Sequence, residues 1–419
     1  MRLIYNVLVY LAAPIALLMH LWRGLRDPSY RERLGERFGF GPVLGGATIW
    51  IHAVSVGEVQ AAESLIRQLL MRHPHHSLLL TTVTPTGAAR ARQLFGSKVT
   101  LRYVPFDLPG SVRRFFDRVQ PRLAMILETE LWPNLYAECG RRDVPLVLAS
   151  ARISPRSVGR YRRLVPLFRQ ALSHGIVIAA QSETDAARFR SIGADPARTH
   201  VTGNIKFDFQ PPPGIEESGA RWRELNAPGR PIWVAGSTHE GEEEMILEAH
   251  RIVLRRFPDA LLLLVPRHPQ RFEIVSDLLT RRGEVFSKRS TGATVPHAES
   301  VMLGDTMGEL MMFYAAADVA FVAGSLVPIG GHNLLEPASL GRAMLTGPHN
   351  FNSEAAARLL LEAGATRIVT NASQLGAAVS ELLGDSGLRT SMGAVGRAVL
   401  DANRGALGRL LKLVDPLLS

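Results

Sequence analysis

The chain has 419 residues, of which 46% are hydrophobic, and a formal net charge of +10. This length exceeds one ordinary hydrophobic core, so two domains are expected, and the composition excludes a disordered or fibrous chain. The single cysteine, Cys139, excludes an internal disulfide and suits a reducing compartment. The positive charge favours anionic partners, which include phospholipid, phosphorylated substrates and nucleic acid.

Residues 1–22 are predicted to form a membrane-anchor helix. No Asp, Glu, Lys or Arg occurs between positions 3 and 22, and about 20 apolar residues suffice to cross the hydrocarbon core. Five arginines follow between positions 23 and 37, whereas only one precedes the segment, at position 2. Because the side of a membrane helix that is richer in Lys and Arg faces the cytoplasm, the rest of the chain is expected there. A cleaved signal peptide fits poorly because these arginines lie on the wrong side of the apolar segment. A helix that lies partly embedded, kinked at Pro14, stays open.

After residue 46, short apolar runs alternate with helical stretches. This alternation predicts parallel sheets covered on both faces by helices. Three consecutive prolines at positions 211–213 interrupt the series, because proline fits neither a helix interior nor a central strand. We therefore predict an α/β chain with two doubly wound domains, residues 23–209 and 219–419, joined by a linker at 210–218. In such folds ligands bind beyond the carboxyl ends of the strands, here in a cleft between the domains.

Three motifs of the first domain carry candidate catalytic groups. Glu58 ends Ser-Val-Gly-Glu after the first strand, where the helix dipole favours the ionised form that a general base needs. Glu128 and Glu130 follow the fourth strand and can orient a hydroxyl or support positive charge. Lys206, in Gly-Asn-Ile-Lys-Phe-Asp before the linker, can neutralise a leaving phosphate. The alternatives are acids that only complement a helix start and a solvated lysine.

The second domain contains strand-to-helix turns that suit a nucleotide. Residues 322–337 predict a strand, a glycine turn at Gly330 and Gly331, and a helix start that includes Glu336. Free N–H groups at a helix start bind phosphate, the glycines would admit a ligand close to the backbone, and Glu336 can accept hydrogen bonds from ribose. Arg267 suits phosphate, and the turn at 304–309 can line the base. Ordinary strand-to-helix turns remain the alternative.

Several classes of site are not predicted. The 13 histidines are scattered along the sequence, and no zinc-protease, paired-cysteine, P-loop or hydrolase-elbow motif occurs. Nucleic acid is not an expected partner, because aromatic residues are only 7% and do not alternate with the arginines. One basic cluster can face an anionic acceptor or the membrane, or form a solvated helix face; it consists of Arg152, Arg156, Arg160, Arg162 and Arg163.

Eight motifs between residues 52 and 337 together resemble the 3-deoxy-D-manno-octulosonic acid (Kdo) transferases, membrane-bound enzymes of lipopolysaccharide synthesis. In chain order they are H-A-V-S-V-G-E, T-x-T-P-T-G, P-x-D-L-P-G, E-T-E-L-W-P-N, G-N-I-K-F-D, P-R-H-P, G-D-T-M-G-E and G-G-H-N-x-L-E-P. The resemblance implies a GT-B fold, CMP-Kdo as donor, a lipid A precursor as acceptor and inversion at the anomeric carbon. It further implies a location at the cytoplasmic face of the inner membrane, in contact with phospholipid, and neither a metal nor another cofactor.

The resemblance also implies roles for individual residues. Glu58 is then the general base, and Glu128 and Lys206 support the transition state. Leu334 stands where the family motif often has proline, and only the backbone and the shape of this residue are expected to matter. A GT-B sugar-nucleotide epimerase and a non-catalytic membrane scaffold stay open as alternatives. The residues expected to contact CMP are Pro266, Arg267, Met307, Gly308, Glu309, Asn333, Leu334, Leu335 and Glu336.

Overall fold

The structure is a computed structural model that describes residues 2–128, 130–154, 158 and 175–418. The chain divides into two compact units. The first unit comprises Met1–Asp208 together with Asn403–Ser419, and the second comprises Phe209–Ala402. Each unit has one parallel sheet of seven strands, which confirms the predicted α/β class.

The sheet of the first unit has the spatial order β3-β2-β1-β4-β5-β6-β7. Its central strands β1 and β4 are apolar runs whose side chains are buried on both faces, apart from Arg122. Such continuous burial is typical of parallel strands between two helical layers. The strands are β1 (Thr48–His52), β2 (Ser77–Thr82), β3 (Thr100–Tyr103), β4 (Pro121–Leu127), β5 (Leu146–Ala151), β6 (Val177–Ala180) and β7 (Thr199–Val201).

Helices cover both faces of this sheet. On one face Trp50 packs with Phe115 and Phe116, and on the other Ile49 and Ile51 belong to a second apolar cluster. The helices of this unit, numbered among the described residues, are α1 (Arg2–Arg26), α2 (Val56–Ala61), α3 (Glu63–Arg72), α4 (Pro85–Phe95), α5 (Pro109–Val119), α6 (Pro133–Arg141), α7 (Glu183–Ser191) and α16 (Ala406–Val414). By length and composition alone, α1 qualifies as a candidate membrane-spanning helix.

The sheet of the second unit has the order β10-β11-β9-β8-β12-β13-β14. Its strands are β8 (Ile232–Thr238), β9 (Leu261–Pro266), β10 (Phe286–Lys288), β11 (Val301–Leu303), β12 (Val319–Val322), β13 (Ala343–Thr346) and β14 (Thr366–Ile368). Its helices are α8 (Ile215–Asn226), α9 (Glu243–Arg256), α10 (Phe272–Arg281), α11 (Leu310–Ala316), α12 (Leu335–Ser339), α13 (Glu354–Glu362), α14 (Ala372–Gly384) and α15 (Ser386–Asn403).

The end of the chain differs from the predicted domain boundaries. The prediction placed residues 219–419 in the second domain, whereas residues 403–419 belong to the first unit. Leu410, Leu411 and Val414 of α16 are buried in the same apolar cluster as Ile49 and Ile51, so α16 covers one face of the first sheet. The predicted linker at 210–218 is also shorter than expected, because α8 already begins at Ile215.

Candidate active site

Glu58 lies in the first turn of α2, the helix that follows β1. Ser55 is the N-cap of α2, and its hydroxyl accepts from the Glu58 N–H at 3.4 Å. The Glu58 carboxylate in turn accepts from the Val54 N–H at 2.8 Å and from the Ser55 hydroxyl at 3.2 Å. This reciprocal arrangement is a variant of the capping box, and it fixes the direction of the half-buried carboxyl group.

The protonation of Glu58 differs from the sequence-based expectation. Burial raises the pKa of Glu58 to about 7, and the charges of Glu128 and Glu130 act in the same direction, although the Val54 N–H opposes them. The expectation that the helix dipole would favour the ionised form is therefore wrong in its net effect, because desolvation and like charge outweigh it. A carboxyl group with a pKa near 7 suits proton abstraction at neutral pH.

Glu128 follows β4, the strand that pairs with β1 in the sheet. Its φ of +56° is uncommon for a residue with a side chain and is often found at functional positions. Lys206 Nζ lies 2.7 Å from one carboxylate oxygen, and Arg152 Nε lies 3.0 Å from the other. Burial works against ionisation, but these two cations outweigh it and hold the pKa of Glu128 below its usual value.

Lys206 is placed by a short helix of residues Ile205–Asp208 that follows β7. The Ile205 N–H donates to the Ser150 hydroxyl at 3.0 Å, and the Lys206 N–H donates to the side chain of Asn204 at 3.0 Å. The first of these bonds ties the short helix to the end of β5. The structure thus brings Lys206 into contact with Glu128 and places Glu128 close enough to influence Glu58.

Arg152 is a site residue that the sequence did not single out for this role. It comes directly after β5, so the rule that ligands bind beyond the ends of strands could have identified it.

Burial raises the pKa of Glu130, and the charge of Glu128 adds to this shift. Thr129 and the remaining members of the predicted basic cluster lie outside the described residues; those members are Arg156, Arg160, Arg162 and Arg163.

In the second unit, Pro266 ends β9 and Arg267 follows it. The Arg267 N–H donates to the Thr238 carbonyl at 3.0 Å. Within the described part of the chain, no hydrogen bond or ion pair of its guanidinium group is found, whereas nearby Arg271 pairs with Glu243 at 3.2 Å. Arg267 is therefore a cation available to an anionic ligand.

Three histidines that are far apart in sequence meet beside Arg267. The Nε2 atoms of His239 and His332 are 2.9 Å apart, and the rings of His239 and His268 have centroids 5.4 Å apart. Burial lowers the pKa of His239 to about 4 and that of His332 to about 3, and Arg267 adds to both shifts. Both rings are thus neutral at pH 7. The sequence did not predict this cluster, because the three histidines are distant along the chain. They meet because each follows one of three neighbouring strands, β8, β9 and β12.

The predicted residues Met307, Gly308 and Glu309 lie in the turn before α11. Gly308 has a φ of +89°, which favours glycine, and the side chain of Met307 is 54% exposed. Glu309 pairs with Arg289 at 2.8 Å and also accepts from the Thr306 hydroxyl. The Glu309 carboxylate is thus occupied within the protein, while the Met307 side chain is accessible.

The turn that carries Asn333 to Glu336 ends in a helix of only five residues. The Asn333 side chain accepts from the Leu335 N–H at 3.1 Å, and its amide donates to Glu336 at 3.3 Å. Leu334 and Leu335 have buried side chains, so any ligand contact there uses the backbone.

Burial raises the pKa of Tyr314 well above its usual value, with a further contribution from the charge of Glu336.

The glycine turn before this helix differs from the predicted role. A Cβ at Gly330 would lie 2.4 Å from the ring of Phe351, and one at Gly331 would lie 2.5 Å from the side chain of Asn350. Both glycines have positive φ, 110° and 72°. They are therefore required by the protein's own packing and backbone, and the expectation that they admit a ligand is not supported.

Glu242 is a further residue that sequence reasoning missed. Its buried carboxylate accepts from four backbone N–H groups, those of His239, Gly324, Ser325 and Leu326, at 2.7 to 3.0 Å. This single side chain fixes the loops that follow β8 and β12.

Among the described residues, no group of three or more His, Cys, Asp or Glu side chains could hold a metal ion.

Comparison with known proteins then decides the family. The family model described as "3-Deoxy-D-manno-octulosonic-acid transferase (kdotransferase)" matches residues 32–209. A 3-deoxy-D-manno-octulosonic acid transferase from Haemophilus influenzae is 43% identical, covering 100% of this chain and 99% of that protein. The chain belongs to the Kdo transferase family. A Bordetella pertussis transferase of the same name is 37% identical, with 99% of each chain covered.

Solved structures agree with the fold of this Kdo transferase family member. A glycosyltransferase from Rickettsia africae matches with a TM-score of 0.58 at 13% identity, covering 90% of this chain and 100% of that chain. At this identity the match shows the fold alone, which is GT-B. Family membership favours an enzyme over a non-catalytic scaffold, and a transferase over an epimerase.

Proposed function

We propose that the chain transfers Kdo from CMP-Kdo to a hydroxyl group of a lipid A precursor, such as lipid IVA, with inversion at the anomeric carbon. The observation that carries this proposal is the Glu58 carboxyl group, held by Val54 and Ser55 and given a pKa of about 7 beside Glu128. The family gives the transferred sugar, and the site chemistry supports the mechanism.

Deprotonated Glu58 takes the proton of the acceptor hydroxyl while the oxygen of that hydroxyl attacks the anomeric carbon. CMP leaves in the same displacement. One base is enough for a single displacement, which inverts the anomeric carbon, and the nucleotide is already a good leaving group. A second carboxylic acid to protonate the leaving group, as glycoside hydrolysis needs, is not required.

Glu128, Lys206 and Arg152 have a supporting role in this proposal. The ionised Glu128 raises the pKa of Glu58 and so increases its basicity. It also holds Lys206 and Arg152 through the ion pairs at 2.7 and 3.0 Å. An ammonium group has three donors, so Lys206 can keep this pair and still donate to an anionic group of the reacting sugar.

The donor nucleotide is assigned to the second unit. Arg267 has a guanidinium group available for the CMP phosphate, and Glu336 can accept from the ribose hydroxyls. The exposed Met307 and the glycine backbone at Gly308 offer contacts to the base. Neutral imidazoles near Arg267 add hydrogen-bond donors without adding charge.

The proposed location is the cytoplasmic face of the inner membrane, in contact with phospholipid. Helix α1 is apolar and exposed, and Arg23 and Arg31 are exposed near its C-terminal end. An acceptor with several acyl chains resides in a membrane, so an enzyme that acts on it benefits from staying at that surface. No role for nucleic acid is included in the proposal.

The test is a transfer assay with the purified full-length chain in detergent. Incubation with CMP-Kdo and lipid IVA should give a product heavier by one or more Kdo residues, and NMR of that product should show inverted anomeric configuration. Consumption of CMP-Kdo with no mass added to the lipid would rule out the proposed acceptor. Retention of configuration would rule out single displacement.

A further inference from the structure

Helix α1 contacts the rest of the first unit near both ends of the helix. Near its start, the Tyr5 hydroxyl donates to Asp107 Oδ2 at 2.8 Å, and Arg2 Nε donates to Asn134 Oδ1 at 3.3 Å. Near its end, the ring of His20 packs edge-on against Phe106, with centroids 5.6 Å apart. Because both ends contact the same unit, α1 lies along its surface.

The contact at Asp107 is built into the interior of the unit. Asp107 is 3% exposed, and its carboxylate accepts from the backbone N–H groups of Asn134 and Leu135 at 3.0 and 2.8 Å, at the start of α6. The Tyr5 hydroxyl is a third donor to this carboxylate. A buried carboxylate that loses a donor is destabilised, so Asp107 favours the docked position of α1.

The opposite face of α1 is apolar and exposed. Partly covered positions recur at 5, 9, 13, 16 and 20, which is the spacing of one helical face. The side chains on the other face are each more than half exposed; they include Ile4, Val7, Leu11, Leu18, Trp22 and Leu25. An apolar face of this length is unusual on a surface in contact with water.

We propose that α1 lies in the plane of the membrane, docked on the first unit, with its exposed face inserted among the acyl chains of one leaflet. This inference rests on the membrane location proposed above and adds the orientation of the helix. A spanning α1 that kept its contacts would carry Asp107 and Asn134 to hydrocarbon depth. Arg114 would be carried there too, because its guanidinium group lies near Tyr10 of α1. Both the guanidinium and the Tyr10 hydroxyl are within 4 Å of the position that a Cβ at Gly110 would occupy. Polar and charged groups are strongly disfavoured at that depth.

An anionic phospholipid bilayer is the partner that fits this face. The first 40 residues contain six arginines and three acidic residues, and Arg23 and Arg31 are exposed near the end of α1. An apolar helix face beside cations is typical of helices that lie in the interface, where arginine meets lipid phosphate.

Depth-dependent fluorescence quenching on the full-length chain tests this proposal. Single cysteines are introduced as Ile4→Cys, Leu11→Cys, Leu18→Cys or Leu25→Cys and labelled with a fluorophore. The chain is bound to vesicles of phosphatidylethanolamine and phosphatidylglycerol that contain lipids with quenchers at known depths. Native Cys139 is 2% exposed, so the unsubstituted chain controls for background labelling. Met71→Cys, at an exposed position of α3, controls for a site in water.

An in-plane helix predicts the same shallow depth for all four probes and no quenching at position 71. A spanning helix instead places the probes at 11 and 18 deeper than those at 4 and 25 by about 10 Å or more, and this result would overturn the proposal. Vesicle binding with no quenching at any of the four positions would also overturn it, because another partner, such as a second copy, then covers the face. A chain that transfers Kdo in detergent but does not bind vesicles would overturn this inference and leave the proposed function intact.

Discussion

Lys206 Nζ and Glu128 Oε1 lie 2.7 Å apart, although the two residues are separated by 78 positions in the chain. Arg152 binds the other oxygen of the same carboxylate at 3.0 Å. Glu128 therefore stays ionised despite its burial, and its charge is one of the causes of the raised pKa of Glu58. The ion pair and the proposed base are thus coupled through a single carboxylate.

Glu128→Gln should lower the pKa of Glu58, because the substitution removes a negative charge beside it. Glu58 would then be deprotonated at lower pH, so the acidic limb of the pH–rate profile should move to lower pH. The maximal rate should fall by about 10-fold or more, since Lys206 and Arg152 lose their partner and a weaker base abstracts protons less well. The measurement is kcat/KM against pH.

Glu138→Gln is a matched control for this prediction. Glu138 also binds two cations, Arg141 and Arg142, but it does not belong to the proposed site. Its substitution should lower the melting temperature without moving the pH–rate profile. An acidic limb that stays in place in Glu128→Gln would contradict the coupling between Glu128 and Glu58.

Glu336→Ala should weaken the binding of CMP by about 1–3 kcal/mol if the carboxylate accepts hydrogen bonds from the ribose. Isothermal titration calorimetry with CMP measures this change. Glu354→Ala is the control, because Glu354, like Glu336, is an acid in the first turn of a helix of the same unit. Equal CMP affinity in both variants and the native chain would remove Glu336 from the nucleotide site.

Asp208→Ala should destabilise the first unit by about 0.5–2 kcal/mol, the usual effect of removing a helix cap. The Asp208 carboxylate accepts from the N–H groups of Gly405 and Leu407 at 2.6 Å each, at the start of α16. Thermal unfolding measures the loss, with Asp259→Ala at an exposed position of the second unit as the control. An unchanged melting temperature in Asp208→Ala would mean that α16 does not depend on this cap.

The sequence predicted the alternation of strands and helices because apolar runs and turn residues are local signals. It also predicted the positions of Glu58 and Glu128, since Glu128 follows a strand directly and Glu58 lies at the start of the helix that follows a strand. It did not predict that α16 returns to the first unit. Helical periodicity shows which face of a helix is apolar, but not which sheet that face will cover.

Contacts between distant residues were the other part that the sequence could not supply. His239 and His332 are 93 positions apart, and their contact at 2.9 Å depends on the order of strands in the sheet. The pKa of Glu58 likewise depends on burial and on charges from a neighbouring strand. Local spacing indicated only the dipole of α2, whose effect on the pKa of Glu58 is outweighed by burial and like charge.

The most direct test of the proposed mechanism is the single-turnover rate of Glu58→Gln, measured against pH. In the native chain the rate should rise with pH through about 7, because only deprotonated Glu58 accepts a proton. Glu58→Gln should be slower by about 10²–10⁴-fold, the usual contribution of a general base. Glu63→Gln, an acid at the start of α3 that pairs with Arg67, should keep the native rate. CMP binding by Glu58→Gln should be unchanged. Near-native turnover of Glu58→Gln with only a lower melting temperature would show that Glu58 is a helix cap and contradict its role as the base.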